Sequence, residues 1–162
     1  MPYQICVIGT AFDAHHIEKI RATAHSLGCT VHFHADHDAA VPCLSDADIL
    51  FGPSDARSPE AVKAAPGLKW FASYYAGVDP LMAPGVLRKD MVVTNGSGAY
   101  GVTIAEHMIM VSLMLLRRMG EYQRFVENRE FRSDLVIGSL YGATIVVCGT
   151  GDIGTQFARR LR

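Results

Sequence analysis

Short apolar runs alternate with segments of helical periodicity along the first part of the chain. A helix is predicted after the capping residue Asp13 and ends at Gly28, and a short helix is predicted to start with Ser58 as its cap and Pro59 at its first position. The apolar runs read as five strands: Ile5–Ile8, Thr30–Phe33, Ile49–Phe51, Leu68–Tyr74 and Met91–Thr94. This alternation is typical of stacked β-α units and predicts an α/β fold around a parallel sheet.

The pattern changes at the glycine-rich turn Asn95–Gly98, which is the best candidate for a domain boundary. The longest predicted helix follows over Val102–Met119. It is apolar on nearly every side, so we expect it to be buried between two domains or two subunits. A polar helix is predicted around Tyr122–Arg129, and the apolar run Thr144–Cys148 predicts the first strand of a new sheet.

Composition excludes several classes of protein. The chain has 162 residues, 49% hydrophobic and 19% charged, with a net charge of −1, which argues against disorder and gives no basic surface for nucleic acid. The four cysteines show no C-x-x-C spacing and need not form disulfides. No signal peptide is visible, and the longest apolar segment, Met108–Leu116, is too short to span a membrane. We expect a cytoplasmic protein.

A G-x-G-x-x-G pattern, Gly149–Gly154, directly follows the apolar run that ends at Cys148 and precedes a helical pattern. In a dinucleotide-binding turn the first glycine permits a tight turn, the second lets the backbone approach a pyrophosphate, and the third lets helix and strand pack closely. The helix N-terminus then offers free N–H groups to the phosphates. The context favours a dinucleotide site over a simple packing turn.

A complete site of this kind also has an acidic residue about 20 residues after the glycines, which binds the ribose. The sequence given ends at Arg162, before that position. One β-α unit cannot bury both faces of its strand. We therefore expect either that the rest of this domain is missing from the chain or that the segment packs against another body.

Three segments in fixed order resemble the D-isomer-specific 2-hydroxyacid dehydrogenases, and together they cover essentially the whole chain: Leu68–Asp79, Thr94–His107 and Leu140–Gly154. The first resembles the family's strand and Ala-Gly-Val-Asp loop, the second its hinge and long helix, and the third the approach to its glycine fingerprint. One departure is Ala143, where many relatives carry Lys.

The resemblance implies a flavodoxin-like parallel-sheet substrate domain over residues 1–98. An incomplete Rossmann-type unit, the opening of the NAD(P)-binding domain, would follow over residues 99–162. It would include the long interface helix and be truncated after the glycine fingerprint. The cofactor would be NAD or NADP, and the helix over residues 102–119 would contribute to a homodimer contact.

The same resemblance implies the residues of the binding sites. The loop residues Ala76, Gly77 and Val78 would hold the substrate carboxylate through backbone N–H groups, as consecutive amides at the end of a parallel strand can. Tyr100 would line the cleft and tune substrate size, although a partly buried hinge aromatic explains it equally well. The cofactor-binding residues would be Thr103, Gly149, Gly151, Asp152, Ile153 and Gly154.

The family's catalytic arginine, acid and histidine lie beyond the glycine fingerprint, so no catalytic residue is assigned in this chain. We expect the N-terminal part of an oxidoreductase that transfers a hydride between NAD(P)H and a small 2-keto or D-2-hydroxy acid, inactive as this isolated chain. The alternative is a non-enzymatic module that binds small anions or dimerises.

Two histidine-containing segments invite a chemical role. His107 follows Glu106, but adjacent helical positions point about 100° apart, and a buried histidine hydrogen-bonded to the backbone is the better interpretation. The segment His32–Asp38 carries histidines and carboxylates in a pattern that could bind a metal. It is more simply the end of a strand entering a solvated loop, so no metal site is predicted.

Overall fold

The computed structural model describes residues 2–162, which form two compact units. One unit ends at Ser97 and the other runs from Gly98 to Arg162. The functional assignment of the two units, as substrate domain and NAD(P) domain, stays a prediction.

The first unit is built on a five-stranded parallel sheet with the strand order β2-β1-β3-β4-β5. Its strands are β1 (Gln4–Ile8), β2 (Thr30–His34), β3 (Ile49–Gly52), β4 (Trp70–Ser73) and β5 (Val92–Thr94). Each of the five predicted runs overlaps one of these strands, so the predicted α/β class with a parallel sheet is confirmed.

The helices of this unit are α1 (Ala14–Ser26), α2 (His37–Leu44) and α3 (Ser58–Ala64), with a 3-10 turn over Asp79–Met82. The Asp13 side chain caps α1 by accepting a hydrogen bond from the His16 N–H at 2.9 Å. Gly28 follows α1 with φ +66°, a conformation that favours glycine. Both ends of α1 therefore agree with the sequence signals.

Two details of the helices differ from the predictions. Helix α2 lies where the sequence indicated a polar loop; Asp36 caps it by accepting from the Ala39 N–H, and Pro42 lies within it. Ser58 does not cap α3, because its hydroxyl is buried, donates to the Pro53 carbonyl at 2.8 Å and accepts from the Asp55 N–H. It closes the preceding loop instead.

The hydrophobic core lies on the sheet face covered by α2, α3 and the 3-10 turn. Cys6, Leu50 and Phe71 point from the sheet into this core and are completely buried. The opposite face is covered less fully. A cavity of about 780 Å³ lies between α1 and the strands there, and Trp70 on its wall remains 39% exposed.

The second unit contains the helices α4 (Gly101–Leu116), α5 (Met119–Glu127) and α6 (Asp152–Arg160). The prediction of one helix over Val102–Met119 is wrong at its end. Arg118 has φ +53°, a left-handed conformation that stops α4 and lets α5 begin at Met119. No helix in residues 2–162 has the length and apolar character needed to cross a bilayer.

The predicted strand over Thr144–Cys148 is not formed. This segment carries no ladder pairing within the described part of the chain, and Val146 is 81% exposed. A β-strand forms only beside another strand, because its N–H and C=O groups must hydrogen-bond with those of the adjacent strand. The second unit provides no extended segment beside it.

Candidate functional sites

The loop after β4 presents a row of unpaired backbone donors in the first unit. Within residues 2–162, the N–H groups of Ala76, Gly77 and Val78 donate no hydrogen bond. Ala76 and Gly77 are exposed and Val78 is half-buried. They lie at the carboxyl end of a parallel strand, where consecutive amides can form a concave anion site.

The carbonyls of this loop are held by residues that follow β5. The Asn95 side-chain amide donates to the Ala76 carbonyl at 2.6 Å, and the Gly96 N–H donates to the Tyr75 carbonyl at 2.9 Å. Ser73, which is buried, accepts from the Tyr75 N–H at 3.0 Å. The loop is therefore fixed through Tyr75 and the Ala76 carbonyl, and the three amides remain available to a ligand.

Gly96 is required by this arrangement. A Cβ at that position would lie 2.6 Å from the Tyr74 carbonyl oxygen, too close for any side chain. The close approach of the two segments explains why the chain has a glycine directly after Asn95. Asn95 and Gly96 thus hold the loop after β4 in place by hydrogen bonds to its carbonyl groups. The pattern of residues alone did not indicate this role.

The second unit contains the glycine turn that leads into α6. Gly149 has φ +99°, which only glycine adopts without strain. A Cβ on Gly154 would collide with the Gly149 carbonyl oxygen, so the third glycine permits the close return of the turn onto itself. At Gly151, the residue before α6, a Cβ would meet nothing within 4 Å. A side chain at the second glycine would therefore project into open space.

The N-terminus of α6 is open to an anion. No side chain caps it, and no hydrogen bond is donated by the N–H groups of Asp152, Ile153 and Gly154 among the residues that the structure describes. The helix dipole adds a partial positive charge at this end. This geometry fits the pyrophosphate of a dinucleotide, as the fingerprint predicts.

Asp152 is the one acidic residue in the turn, and its carboxylate lies at the start of α4 in the same unit. It fills the space beside Gly101, the first residue of α4. Near the other end of α6, Arg160 approaches Glu106 of α4 at 3.8 Å. These two contacts fix α6 along α4.

Tyr100 and Thr103 lie at the start of α4. The Thr103 hydroxyl donates to the Tyr100 carbonyl at 3.1 Å, and both residues are exposed. The structure thus brings the start of α4 close to Asp152 of the glycine turn. The roles assigned to all of these residues in substrate or cofactor binding stay predictions.

The two histidine segments differ from expectation. His107 is exposed rather than buried, so that interpretation is wrong. In the segment His32–Asp38, Asp36 caps α2, and Asp38 pairs with Arg57, which lowers the pKa of that carboxyl through a side-chain hydrogen bond. His32 is exposed, whereas His34 turns a buried Nε2 atom inward.

The parallel sheet and the glycine turn define an α/β protein with a dinucleotide-binding motif, and known proteins with similar sequences share one family description. Residues 109–162 match the sequence model of the D-isomer specific 2-hydroxyacid dehydrogenase NAD binding domain. A glyoxylate reductase of Korarchaeum cryptofilum is 30% identical over 132 residues, which are 78% of this chain and 37% of that protein. A D-3-phosphoglycerate dehydrogenase of Archaeoglobus fulgidus is 29% identical over 64% of this chain and 20% of its own length.

The fold agrees with these sequence matches. The crystal structure of a D-isomer specific 2-hydroxyacid dehydrogenase family protein from Aeromonas salmonicida superposes with a TM-score of 0.86 at 27% identity, covering 99% of this chain and 50% of that one. The chain is therefore similar in sequence and in fold to D-isomer-specific 2-hydroxyacid dehydrogenases, as its three motifs predict. It spans about a third of the glyoxylate reductase and half of the Aeromonas protein. The predicted cofactor class is confirmed at the level of the family, whose NAD-binding domain is the part matched.

Proposed function

We propose that this chain is the N-terminal part of an oxidoreductase that transfers a hydride between NAD(P)H and a small 2-keto or D-2-hydroxy acid. The observation that carries the proposal is the Gly149–Gly154 turn, whose third glycine packs on the first and whose helix N-terminus is uncapped. The names of the relatives, glyoxylate reductase and D-3-phosphoglycerate dehydrogenase, support the substrate class.

The dinucleotide pyrophosphate would be held by the N–H groups at the start of α6, with Gly151 providing the open approach. When bound, NAD(P)H supplies the hydride. The Asp152 side chain lies beside Gly101 at the start of α4. Thr103, two residues after Gly101, is proposed as a further cofactor contact.

The substrate carboxylate would be bound by the unpaired N–H groups of Ala76, Gly77 and Val78. Consecutive N–H donors at the end of a parallel strand would offer a carboxylate charge-assisted hydrogen bonds without requiring a basic side chain. Tyr100 is proposed to limit the size of the substrate. These residues bind and orient; the acid that protonates the alkoxide and the cation that fixes the carboxylate are assigned to no residue of this chain.

The test uses the complete protein with NADH and NADPH against a panel of small 2-keto acids, with cofactor oxidation followed by absorbance. Turnover with at least one pair is expected. Gly151→Ala should reduce kcat/KM by raising the KM for the cofactor, because the methyl group would occupy the space left for the pyrophosphate. Gly120→Ala, in α5 with nothing within 4 Å of the added Cβ, is the matched control. Absence of turnover with every pair would overturn the proposal.

A second candidate is a non-enzymatic module that binds small anions or dimerises. The free amides of Ala76–Val78 favour anion binding, and α4 favours dimerisation because it exposes several large apolar side chains: Val102, Ile104, Met110, Val111, Leu113, Met114 and Leu115. A homodimer through this helix and a cytoplasmic location both stay predictions. Keto-acid turnover by the 162-residue chain itself would exclude this candidate.

A further inference from the structure

Three potential metal ligands from separate elements converge on the core face of the sheet in the first unit. Cys6 lies in the middle of β1, His34 is the last residue of β2, and Cys43 lies on α2. Their ligand atoms all lie within 4.8 Å of one another. Sequence spacing could not indicate that two cysteines meet His34 here, because the cluster depends on α2, which lies where the sequence indicated a polar loop.

The sheet register explains why the three side chains meet. His34 is the parallel partner of Ile8, and Ile8 lies two residues after Cys6 on the same strand. The side chains of Cys6 and His34 therefore point to the same face of the sheet. Helix α2 crosses this face and brings Cys43 down onto Cys6. The cluster is therefore a consequence of the backbone arrangement rather than of one flexible loop.

The His34 ring has an unsatisfied atom at this place. Its Nε2 is buried and has no hydrogen-bond partner among the described residues. Cys6 is completely buried and Cys43 half-buried. A buried polar nitrogen without a partner is unfavourable. Because one ring nitrogen of His34 also lies within 4.8 Å of both thiols, the unsatisfied Nε2 is an indication of a missing ligand that is independent of the cysteines.

We propose that Cys6, His34 and Cys43 form a binding site for one thiophilic divalent cation, for which Zn²⁺ is the best candidate. Two sulfur atoms and one imidazole nitrogen suit Zn²⁺, and the absence of a carboxylate from the three residues disfavours Mg²⁺ and Ca²⁺. In the bound state Zn²⁺, two thiolates and a neutral imidazole would together carry no net charge. A solvent molecule would complete the tetrahedron on the side where Cys43 is less buried.

The proposal is separate from hydride transfer and predicts a structural role. A bound ion would connect β1, β2 and α2, three elements of the first unit. Ion binding should therefore raise the melting temperature of the protein.

The test uses the untagged full chain, stripped of metal by a chelator and kept reduced with a phosphine. Zn²⁺ is titrated in competition with a chromophoric chelator, and Co²⁺ is titrated separately to detect thiolate-to-metal charge transfer. One equivalent of each ion and a Co²⁺–thiolate band are expected. Cys43→Ser and His34→Gln should each weaken Zn²⁺ binding by more than about 100-fold, since even the outer partners of metal ligands cost 10–100-fold when lost.

The matched controls are Cys29→Ser and His32→Gln, because each changes the same residue type at a position outside the cluster. Both should bind Zn²⁺ as the unchanged protein does. Circular dichroism establishes that each variant is folded. If a ligand variant fails to fold, X-ray absorption spectroscopy of zinc bound to the unchanged protein tests the proposal instead. Two sulfur atoms are then expected in the coordination shell of the zinc. Absence of stoichiometric binding, binding unchanged in both ligand variants, or a zinc shell without sulfur would overturn the proposal.

Discussion

The carboxylate of Asp152 occupies the space into which a side chain at Gly101 would project. Gly101 is the first residue of α4 and Asp152 the first of α6, so the starts of two helices meet at this contact. A carboxylate near a helix N-terminus is favourable because of the partial positive charge there. A side chain at position 101 would therefore have to displace this carboxylate, which lies at the start of the helix that follows the dinucleotide turn.

Replacing Gly101 with Ala should destabilise the protein by about 1 kcal/mol, the lower end of the usual cost of inserting an atom into a packed site, because the Asp152 carboxylate that must move is exposed. The free energy of unfolding from urea denaturation measures this change. The double variant Gly101→Ala/Asp152→Ala should recover most of the loss, whereas Gly101→Ala/Asp152→Asn should not, because asparagine has the size of aspartate. Equal losses in both double variants would show that the clash is not with this side chain.

The first unit was largely predictable because its signals are local. Each strand is a compact apolar run, and α1 carries both a capping aspartate and a terminal glycine. Helix α2 was missed because its first residues are polar and Pro42 interrupts its pattern, although Asp36 was an available capping signal. Local sequence thus predicts elements well where the apolar pattern is regular.

The remaining differences depend on contacts between distant residues. The run Thr144–Cys148 has the composition of a strand, yet strand formation depends on a neighbour that the pattern cannot supply. Two further contacts join residues that are far apart in the chain: Cys6 lies beside Cys43, and the Asn95 side chain donates to the Ala76 carbonyl. The glycine fingerprint was predictable because its whole geometry is local.

The three glycines of the fingerprint should respond differently to substitution. Gly154→Ala places a methyl group against the Gly149 carbonyl and should destabilise the protein by about 1–3 kcal/mol as well as weaken cofactor binding. Gly151→Ala meets open space in the protein and should weaken only cofactor binding. Thermal unfolding and NADH titration of the complete protein separate the two effects. Equal destabilisation by both variants would contradict the packing described for Gly154.

Asn95 should control the proposed substrate loop. Its side chain donates to the Ala76 carbonyl, so Asn95→Ala removes the bond that holds the loop between Tyr75 and Val78. We expect the KM for the 2-keto acid to rise about tenfold, which corresponds to about 1.4 kcal/mol, with a smaller change in the KM for the cofactor. Ser97→Ala is the control. Within residues 2–162, the Ser97 side chain forms no hydrogen bond with the loop. A change confined to the cofactor KM would exclude this role for Asn95.

Asp48 should make the stability of the first unit depend on acid pH. Its carboxylate accepts from the Lys69 ammonium at 2.8 Å and from the Gln4 N–H at 2.9 Å, and these bonds lower its pKa, with Lys69 the larger cause. A carboxyl whose pKa is lower in the folded state stabilises the protein above its unfolded pKa of about 3.9 and loses that contribution as the pH falls through the folded value.

Asp48→Asn should therefore cost about 0.5–1 kcal/mol at pH 7, a range appropriate to a pair whose lysine is mostly exposed. The difference from the unchanged protein should begin to shrink below about pH 4, where the carboxyl of the unfolded state becomes protonated, and should be lost as the pH falls through the lower pKa of the folded state. Urea denaturation at a series of pH values measures both quantities. Asp46→Asn, two residues away at an exposed position, is the control and should show no such convergence. A constant difference across the whole pH range would mean that Asp48 acts through its shape and not through its charge.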